Sequence, residues 1–558
     1  MHCFHYCFSK ILKQVNVKMP SADCKKYENF LPFIGEFGAF QKRLLLWMMP
    51  AAFLFAFTYF GQIFMILVPK DHWCRIRELE ALPKEEQIKR GIPITKDGDF
   101  ERCLRYNVPL ESDVSNVTNQ TRSNIACNDG WVYDRDQIPY ESIATQYNWV
   151  CDDQDLGTYS VLAFFVGSIV GCLCFGYVAD HCGRLVALFL ANSCSMIGGC
   201  VTVVCKDFYC FAASRFLVGL AMNSCFVPIY ILTLENVGIK YRTLVGNLAL
   251  AISFTLGAVV LPWVAYAFHS WRHYAMTVSL PVVFMILMSL LLPESPSWLF
   301  SVGKVKRGMH VLKEAAQSNG KTLSDKEWSE MEQCYELDFA NEHSGKHYTC
   351  LDLFKTFRRF VVTTILILSW MIVALVYDAH VRVVSLLGTD VFITFSISSL
   401  VEIPAGIVLV FLLDRVGRKP VMIAVMLCCA AFSLSAAFLR RQWDVAIAAT
   451  VARFFITMAY NVGQQWASEI LPTVVRGQGL SGINVMGQIG ALISPIVIYT
   501  HRFYASLPMF IITLLSVIGG VIVMVLPETK GTVLPQSMDE ADKRWTLRCR
   551  NRKINVNQ

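Results

Sequence analysis

The stretch Asp414-Arg415-Val416-Gly417-Arg418-Lys419-Pro420 is a short charged sequence between two long apolar runs. Residues of this stretch and of two later segments repeat residues found 234 positions earlier in the chain. The earlier members of seven identical pairs are Asp180, Gly183, Arg184, Glu235, Arg242, Pro293 and Glu294. The later members are Asp414, Gly417, Arg418, Glu469, Arg476, Pro527 and Glu528. Seven identities in one register indicate an internal duplication of the chain.

Hydrophobic residues make up 54% of the sequence and charged residues 17%, which excludes an ordinary soluble domain. The apolar residues cluster in runs of about 20, the length that a helix needs to cross a bilayer. The sequence therefore predicts an all-α membrane protein with twelve transmembrane helices in two pseudo-symmetric six-helix halves. The expected spans lie near 44–67, 157–177, 186–204, 209–233, 244–266, 274–292, 360–378, 389–413, 420–438, 445–466, 477–500 and 505–526. The net charge of +7 is small for 558 residues and indicates membrane orientation rather than nucleic-acid binding.

Polar segments divide the chain into five parts. The expected parts are an N-terminal segment 1–43, a first half 44–293 with a long loop over 68–154, a linker 294–358, a second half 359–527 and a tail 528–558. Lys and Arg are frequent in the first and last parts, and cytoplasmic segments carry such an excess. Since an even number of spans returns the chain to its starting side, both termini are predicted to be cytoplasmic.

The long loop contains an even set of cysteines and two glycosylation sequons. The cysteines are Cys74, Cys103, Cys127 and Cys151, and the sequons begin at Asn116 and Asn119. Disulfides and N-linked glycans both belong to an oxidising, extracellular environment. We therefore expect an extracellular loop with two disulfides, for which four cysteines allow three pairings.

The duplicated charges lie where predicted spans end on the cytoplasmic side. They can pair across neighbouring helices in one conformational state and separate in another, which would make them a charge latch. The predicted latch residues are Asp180, Arg184, Glu235, Arg242, Asp414, Arg418, Lys419, Glu469 and Arg476. Pairing is expected between Asp414 and Arg418 or Lys419, and between Glu469 and Arg476. The alternative is that short loops carry charge only to remain solvated, and the repeat in both halves favours the latch.

Several motifs give the chain a family resemblance. The stretches Asp180 to Arg184 and Asp414 to Lys419 resemble the paired loop motif of the major facilitator superfamily. More narrowly, the chain resembles the organic cation, carnitine and organic anion transporters. The stretches that carry this resemblance are Ile34-Gly35-Glu36-Phe37-Gly38, Cys127-Asn128-Asp129-Gly130-Trp131-Val132-Tyr133, Pro293-Glu294-Ser295-Pro296, Glu469-Ile470-Leu471-Pro472-Thr473 and Pro527-Glu528-Thr529-Lys530-Gly531. The chain departs from the family pattern at His181, Leu185 and Ser297.

The resemblance implies a major facilitator fold in the plasma membrane and a monomeric transporter rather than an enzyme. The expected function is transport of small organic cations or zwitterions by alternating access, with no metal and no cofactor. Coupling to Na⁺ or H⁺ is left open. The sequence lacks a phosphate-binding loop with Lys-Ser or Lys-Thr, which argues against an ATP-driven pump. The alternatives are an organic anion exchanger and a non-transporting receptor or scaffold of the same fold.

Carboxylates within apolar runs are the clearest candidates for a substrate site, since ionisable groups are costly inside a bilayer. Glu402 lies in the eighth span, and in the related transporters a carboxylate at this place lines the substrate cavity. The alternative for Glu402 is an ion pair with another helix. Asp378, near the predicted end of the seventh span, is a second candidate, and its alternative is simple solvation at the membrane edge.

Gln488 in the eleventh span occupies a discriminating position. When the chain is aligned with the family on Ser494-Pro495, cation transporters carry an acid there and anion and carnitine transporters an Arg. A neutral Gln removes the usual partner of an anionic substrate. Asn223 likewise replaces a Lys found in some relatives. Arg215 and Arg453 could pair with a substrate carboxylate, but we interpret both as structural.

Aromatic residues complete the predicted pocket, because their faces attract organic cations. By the family plan the candidates are Phe226 and Tyr230 in the fourth span and Trp370 and Tyr377 in the seventh. Each has packing against a neighbouring helix or lipid as its alternative. Gln465 stands in a segment of the tenth span where relatives are rich in tyrosine, so a changed substrate preference is expected.

Overall fold

Long apolar helices form most of the chain, because a helix satisfies its own backbone hydrogen bonds where water is absent. The computed structural model describes residues 31–95, 99–107, 123–238, 241, 244–342, 350–384, 390–472, 475–530, 535, 538 and 541–542. The helices of the first half are α1 (Leu31–Ile34), α2 (Ala39–Met65), α3 (Lys84–Gly91), α4 (Ile143–Gln146), α5 (Asp155–His181), α6 (Arg184–Val204), α7 (Phe208–Ala221), α8 (Val227–Asn236), α9 (Leu250–Ala267), α10 (Trp271–Ser279) and α11 (Val282–Leu291). A π-helical turn over Leu244–Ala249 leads into α9.

Three helices in the linker and seven in the second half follow. They are α12 (Pro296–Ser301), α13 (Val305–Ser318), α14 (Asp325–Glu342), α15 (Phe357–Val383), α16 (Val391–Leu400), α17 (Glu402–Val416), α18 (Arg418–Phe438), α19 (Gln442–Ile470), α20 (Arg476–Tyr499) and α21 (Leu507–Ile522). Short 3-10 turns extend α20 over Thr500–Arg502 and α21 over Val523–Val525.

Eleven helical segments of the described chain are long and apolar enough to cross a membrane. The twelfth crossing is made by α7 and α8, which a distorted turn over 222–226 separates. Two other crossings are interrupted, between α10 and α11 at Pro281 and between α16 and α17 at Val401. Pro281 and Pro404 lie at these interruptions and cannot donate a backbone hydrogen bond. The architecture agrees with the twelve predicted spans.

The seventh span extends beyond its predicted end. The sequence predicts that it stops near residue 378, whereas α15 continues to Val383. Asp378 at the predicted end and His380 and Arg382 beyond it are polar and lower the hydropathy of the run, although all three side chains are buried. Asp378 therefore lies inside the helix.

The two duplicated glycines share an unusual backbone conformation. Gly183 immediately precedes α6 with φ 117° and ψ 160°, and Gly417 immediately precedes α18 with φ 108° and ψ 166°. Side chains of L-residues are strained at such positive φ values, so each position favours glycine. The sequence duplication thus corresponds to a duplicated turn in the structure.

Two small antiparallel sheets and two disulfides organise the described part of the long loop. Strand β1 (His72–Cys74) pairs with β4 (Trp131–Tyr133), and β2 (Leu104–Tyr106) pairs with β3 (Asn124–Ala126). Of the three pairings that the sequence left open, the structure joins Cys74 to Cys127 and Cys103 to Cys151. A further disulfide, Cys205–Cys210, links α6 to α7. Both predicted glycosylation sites, Asn116 and Asn119, lie outside the described residues.

The chain divides into a smaller and a larger compact unit. The described part of the smaller unit comprises residues 31–43, 235–238, 241 and 293–342. Within it, Asn319 accepts a hydrogen bond from the Phe40 backbone at 2.9 Å and donates to the Ile34 carbonyl at 3.0 Å. Phe37 and Tyr241 stack with ring centroids 4.9 Å apart. These contacts join the start of α2, the end of α8 and the linker helices.

Within the larger unit, the two halves meet at one end of the long helices. We call this the loop end, because the long loop leaves α2 and enters α5 there, and we call the opposite end the motif end. At the loop end, Phe60 and Phe64 of α2 pack against Phe395 of α16, with ring centroids 5.5 and 5.3 Å away. The Ser396 hydroxyl donates to the Val259 carbonyl at 3.1 Å. Apolar and polar contacts therefore both hold the halves together at this end.

Candidate functional site

Glu402 is the first residue of α17, directly after the interruption at Val401. Its side chain is buried and pairs with Arg453 of α19, the guanidinium Nη2 lying 2.8 Å from Oε1. The Tyr377 hydroxyl donates to the same oxygen at 2.8 Å, and Arg453 also donates to the Ser398 hydroxyl at 3.0 Å. Glu402 thus forms the ion pair that was its alternative, and a substrate ammonium group would have to compete with Arg453 for it.

Asp378 has a second buried guanidinium partner. Its carboxylate accepts a hydrogen bond from Arg382 Nε at 2.6 Å, one helical turn later in α15. It also accepts from the Tyr59 hydroxyl of α2 at 2.9 Å and from the Ser494 hydroxyl of α20. Only 1% of Asp378 is exposed, so it is not a solvated residue at the membrane edge. This carboxylate connects the first half, through Tyr59, to the second.

A neutral polar chain crosses between the halves at Gln488. The half-buried Gln488 side chain accepts a hydrogen bond from the Ser168 hydroxyl of α5 at 3.2 Å. Asn223, in the distorted turn between α7 and α8, donates to Ser168 Oγ at 3.4 Å and to Cys172 Sγ at 2.8 Å. The two positions singled out for their lack of charge, Gln488 and Asn223, therefore belong to one hydrogen-bonded network.

Aromatic rings lie beside the Glu402 ion pair. Tyr460 of α19 has its ring centroid 4.7 Å from that of Trp370 and 5.0 Å from that of Tyr377. Trp370 is buried against Gly463 and Gly487, where a Cβ would collide with its indole ring. Trp370 therefore packs against neighbouring helices, which was the alternative to a pocket role. Tyr377 also contacts the Glu402 carboxylate directly.

A second aromatic group belongs to the first half. Phe226 stacks on Phe55 of α2 at 5.3 Å and lies 5.9 Å from Tyr230. Phe55 also contacts Phe254 of α9 at 5.5 Å. Phe226 and Tyr230 are thus brought together, as the predicted pocket requires, with two phenylalanines that the sequence argument did not select.

The described charges at the motif end form a compact cluster in the second half. Arg418, the first residue of α18, approaches the Glu469 carboxylate at 3.0 Å, near the end of α19. Thr529 donates to the other Glu469 oxygen at 2.5 Å. Arg476 Nε instead donates to the Leu471 carbonyl at 3.3 Å. In this structure the partner of Glu469 is therefore Arg418, because antiparallel packing of α18 on α19 brings Arg418 to the carboxylate.

Glu528 completes this cluster as a helix cap. Its carboxylate accepts from the backbone N–H groups of Arg418 and Lys419, each at 3.0 Å. Burial alone would raise the pKa of Glu528, but N–H donors from Lys530, Arg418, Lys419 and Thr529 outweigh it and hold the pKa below its usual value. A charged carboxylate at the N-terminus of α18 also complements the helix dipole. The Lys419 ammonium group donates to the Met524 carbonyl.

The other described latch residues, Asp180, Arg184 and Glu235, belong to the first half. Asp180 pairs with Arg184 at 3.1 Å, yet 74% of the Asp180 side chain is exposed, and such pairs contribute little. Glu235 accepts a hydrogen bond from the Ser295 hydroxyl. Arg242 and the side chain of Asp414 lie outside the described part of the chain. Gln465 donates to Glu469 at 3.0 Å, so its amide faces the motif-end cluster instead of the Glu402 ion pair.

Comparison with known proteins identifies the family. The family described as Sugar (and other) transporter matches residues 124–385, and the Major Facilitator Superfamily matches residues 359–553. Human solute carrier family 22 member 2 is 30% identical over 531 residues, covering 91% of this chain and 93% of the relative. The chain belongs to solute carrier family 22. Member 1 from Oryctolagus cuniculus is 31% identical, covering 94% of this carrier and 96% of the relative.

Two further comparisons are with a relative whose name states its substrate and with a solved structure of similar fold. The Drosophila melanogaster carcinine transporter is 29% identical to this carrier, covering 94% of it and 81% of the relative. The proton:xylose symporter XylE, bound to 6-bromo-6-deoxy-D-glucose, superposes with a TM-score of 0.56 at 16% identity, covering 90% of this carrier and 100% of XylE. The predicted family and the twelve-helix major facilitator fold are therefore confirmed, and the relatives are transporters rather than enzymes.

Three residues at the candidate site were not selected from the sequence. Arg453 was interpreted as structural, and its ion pair with Glu402 is compatible with that role. Tyr59 and Tyr460 were not considered, and they contact Asp378 and Tyr377 respectively. The available signal for Tyr460 was its spacing, since polar residues three, four or seven positions apart share one face of a helix. Tyr460 lies seven residues after Arg453 and four before Gln464.

Replacement of Arg418 by Ala should lower the maximal rate of transport without lowering the amount of carrier at the cell surface. The substitution leaves Glu469 without its guanidinium partner, and a charge-assisted hydrogen bond of this kind contributes about 1.5–3 kcal/mol. We expect the Arg418–Glu469 pair to form in one conformational state and to separate in the other. Losing part of its energy then changes the maximal uptake rate by roughly fivefold to tenfold. The measurement is maximal rate per carrier molecule at the cell surface.

The matched control for Arg418→Ala is Arg440→Ala, which removes an exposed positive charge just beyond the other end of α18. We expect the control to transport normally. An unchanged maximal rate in Arg418→Ala, at equal surface level, would show that this cluster serves only to hold α18 and α19 together.

Proposed function

We propose that this family 22 carrier transports small organic cations or zwitterions across the plasma membrane by alternating access. The observation that carries the proposal is the buried Glu402 carboxylate, which lies beside Tyr377 and Tyr460 at the interruption of the eighth span. A carboxylate flanked by aromatic faces suits an ammonium group through charge and cation–π attraction. The similarity to the carcinine transporter supports the same substrate class.

The charge balance of the site favours substrates that carry more than one polar group. Glu402 and Asp378 are each neutralised by a guanidinium, from Arg453 and Arg382 respectively. A simple cation has to displace a guanidinium from its carboxylate, whereas a zwitterion can pair with both members of one ion pair. Carnitine-like or β-amino-acid-like solutes therefore belong in the proposal beside simple amines.

The proposal places the loop end outside the cell and the motif end and both termini in the cytoplasm. The disulfides Cys74–Cys127 and Cys103–Cys151 support an oxidising environment for the loop, and the basic terminal segments support the cytoplasmic assignment. With this orientation, the contacts of Phe60, Phe64 and Ser396 between the halves close the carrier toward the extracellular side. We further propose a monomer that works without a cofactor, coupled to Na⁺, to H⁺ or to neither.

An organic anion exchanger is the second candidate, and it is disfavoured by the neutral network at Gln488. A receptor or scaffold without transport activity is the third. Uptake of labelled amines, betaines, carnitine, β-amino acids and an organic anion, by cells producing the carrier, separates the three. The same uptake measured with and without Na⁺, and over a range of external pH, decides the coupling.

Gln488→Arg should lower the uptake of a cationic substrate at least tenfold. A positive charge next to Ser168 repels an ammonium group, and Coulomb energies of about 4 kcal/mol at 4 Å apply where the effective dielectric constant is near 20. Gln488→Met is the matched control, because it keeps the volume and removes only the hydrogen bond. Equal cation uptake by the Arg and Met variants, at matched surface level, would place the substrate away from Gln488.

A further inference from the structure

A small polar cavity lies within the first half, apart from the ion pairs of the candidate site. It is bounded by α2, α6, α7 and the junction of α10 with α11, and it offers about 20 Å³ to a particle the size of water. A single water needs about 10–15 Å³ by the same measure. Polar residues that line the cavity are Thr58, Gln62, Ser195, Arg215 and Ser279. The space accepts one small particle and excludes an organic substrate.

Gln62 and Arg215 bring polar atoms without partners to this cavity. Both side chains are buried, with 2% and 4% exposed. Neither the nitrogen nor the oxygen of the Gln62 amide has a hydrogen-bond partner among the described residues, and Arg215 Nε also lacks one. Two donor nitrogens and one acceptor oxygen therefore lack a partner among the described residues, and the cavity has room for one small particle.

Arg215 is also without a counter-ion in the described chain. Its Nη2 donates to the Thr202 hydroxyl, and its guanidinium lies 5.3 Å from the centroid of the Phe211 ring. No Asp or Glu side chain of the described residues lies within 4.0 Å of it. The two other buried arginines discussed above, Arg382 and Arg453, each have a carboxylate. A buried charge without a counter-ion strongly destabilises a folded protein. An anion next to the Arg215 guanidinium therefore stabilises the fold.

We propose that this cavity binds one chloride-sized monovalent anion, held by the guanidinium of Arg215 and the amide nitrogen of Gln62. The anion accepts from Arg215 Nε and Gln62 Nε2, and the hydroxyls of Ser195 and Ser279 border the same space. The positive charge of Arg215 excludes a metal cation. The anion stabilises the first half as a fixed counter-ion, independently of which substrate the carrier transports.

The test is the thermal unfolding of the purified full-length carrier in sodium chloride and in sodium gluconate at equal ionic strength. A ligand that binds only the folded state raises stability as its concentration exceeds Kd. We expect a saturable rise of about 2 °C or more in the unfolding temperature with chloride. Bromide should reproduce the rise, and in diffraction from bromide-grown crystals its anomalous signal should lie between Gln62 and Arg215.

Gln62→Glu is the decisive variant, because it places a carboxylate of the same shape beside Arg215. This internal counter-ion should reduce the chloride-dependent shift at least fivefold, while Gln62→Asn should retain most of it. If wild-type carrier unfolds at the same temperature in both salts, the cavity holds water and the proposal is wrong. A chloride shift that persists in full in Gln62→Glu would place the anion elsewhere. Should that variant fail to fold, the salt comparison and the bromide signal still decide.

Discussion

Glu402→Gln should reduce the amount of carrier at the cell surface severalfold, in addition to its effect on transport. The substitution leaves Arg453, which is completely buried, without a carboxylate partner. Breaking a buried ion pair by removing one member costs about 3–5 kcal/mol of folding stability. Surface biotinylation and thermal unfolding measure this loss separately from uptake.

The double variant Glu402→Gln with Arg453→Met separates the structural role of the ion pair from its role in binding. Removing both charges avoids the stranded guanidinium, so the surface level should recover toward that of the unmodified carrier. Uptake of a cationic probe should nevertheless stay about tenfold to a thousandfold lower, since the carboxylate that attracts the ammonium group is absent.

The matched control is Tyr377→Phe, which removes one hydrogen bond to Glu402 and keeps both charges. Its loss of uptake should be smaller than that of the double variant, because the Glu402 carboxylate that attracts the ammonium group keeps its charge. Full cation uptake by the double variant at a normal surface level would contradict a substrate role for Glu402 and leave it as the partner of Arg453.

The order of spans could be predicted because hydropathy depends on residues near each other in the chain. The duplication at an offset of 234 residues was also visible in the sequence, and Gly183 and Gly417 have matching backbone angles in the structure. Span ends were less predictable where charges are paired inside the protein. Asp378 and Arg382 lower the hydropathy of α15 although their ion pair is buried, so the predicted span stops five residues too early.

Side-chain partners could not be predicted, because they depend on contacts between distant segments. Glu402 and Arg453 are 51 residues apart, and Tyr59 and Asp378 are 319 residues apart. Each of the four residues was visible as a polar side chain in an apolar run, yet nothing local to it specifies the partner. The same applies to the loop disulfides, whose three pairings are equivalent in sequence and were resolved by the fold.

Asp378→Asn should open the contact between the halves at the loop end. The carboxylate holds Arg382 in its own helix, Tyr59 in the first half and Ser494 in α20. An amide keeps an acceptor for Tyr59 but removes the charge, which leaves Arg382 buried beside the ring of Phe165 at 5.2 Å. The state in which the halves touch at this end is therefore destabilised relative to the state in which they separate.

Cross-linking at the loop end measures this change in population. Val259→Cys and Ser396→Cys put one thiol on each half where the halves approach, since the native Ser396 hydroxyl lies 3.1 Å from the backbone carbonyl of Val259. In an otherwise native carrier this pair should form a disulfide readily under mild oxidation. Adding Asp378→Asn should lower the yield at least fivefold. Cation uptake should fall about tenfold, the change expected when one of the two states loses about 1.4 kcal/mol relative to the other.

Two further variants are informative. One is the single variant Tyr59→Phe, and the other is the double variant Asp378→Asn with Arg382→Met. Tyr59→Phe removes one hydrogen bond between the halves and keeps both charges of the Asp378–Arg382 pair, so its cross-linking yield should fall by a smaller factor than that of Asp378→Asn. The double variant removes both charges, so the stability of the carrier should recover. Its hydrogen bond from Tyr59 to residue 378 should remain weaker than in the unmodified carrier. If Asp378→Asn cross-links as well as the unmodified pair while uptake still falls, the carboxylate acts on the substrate and not on the closure of the loop end.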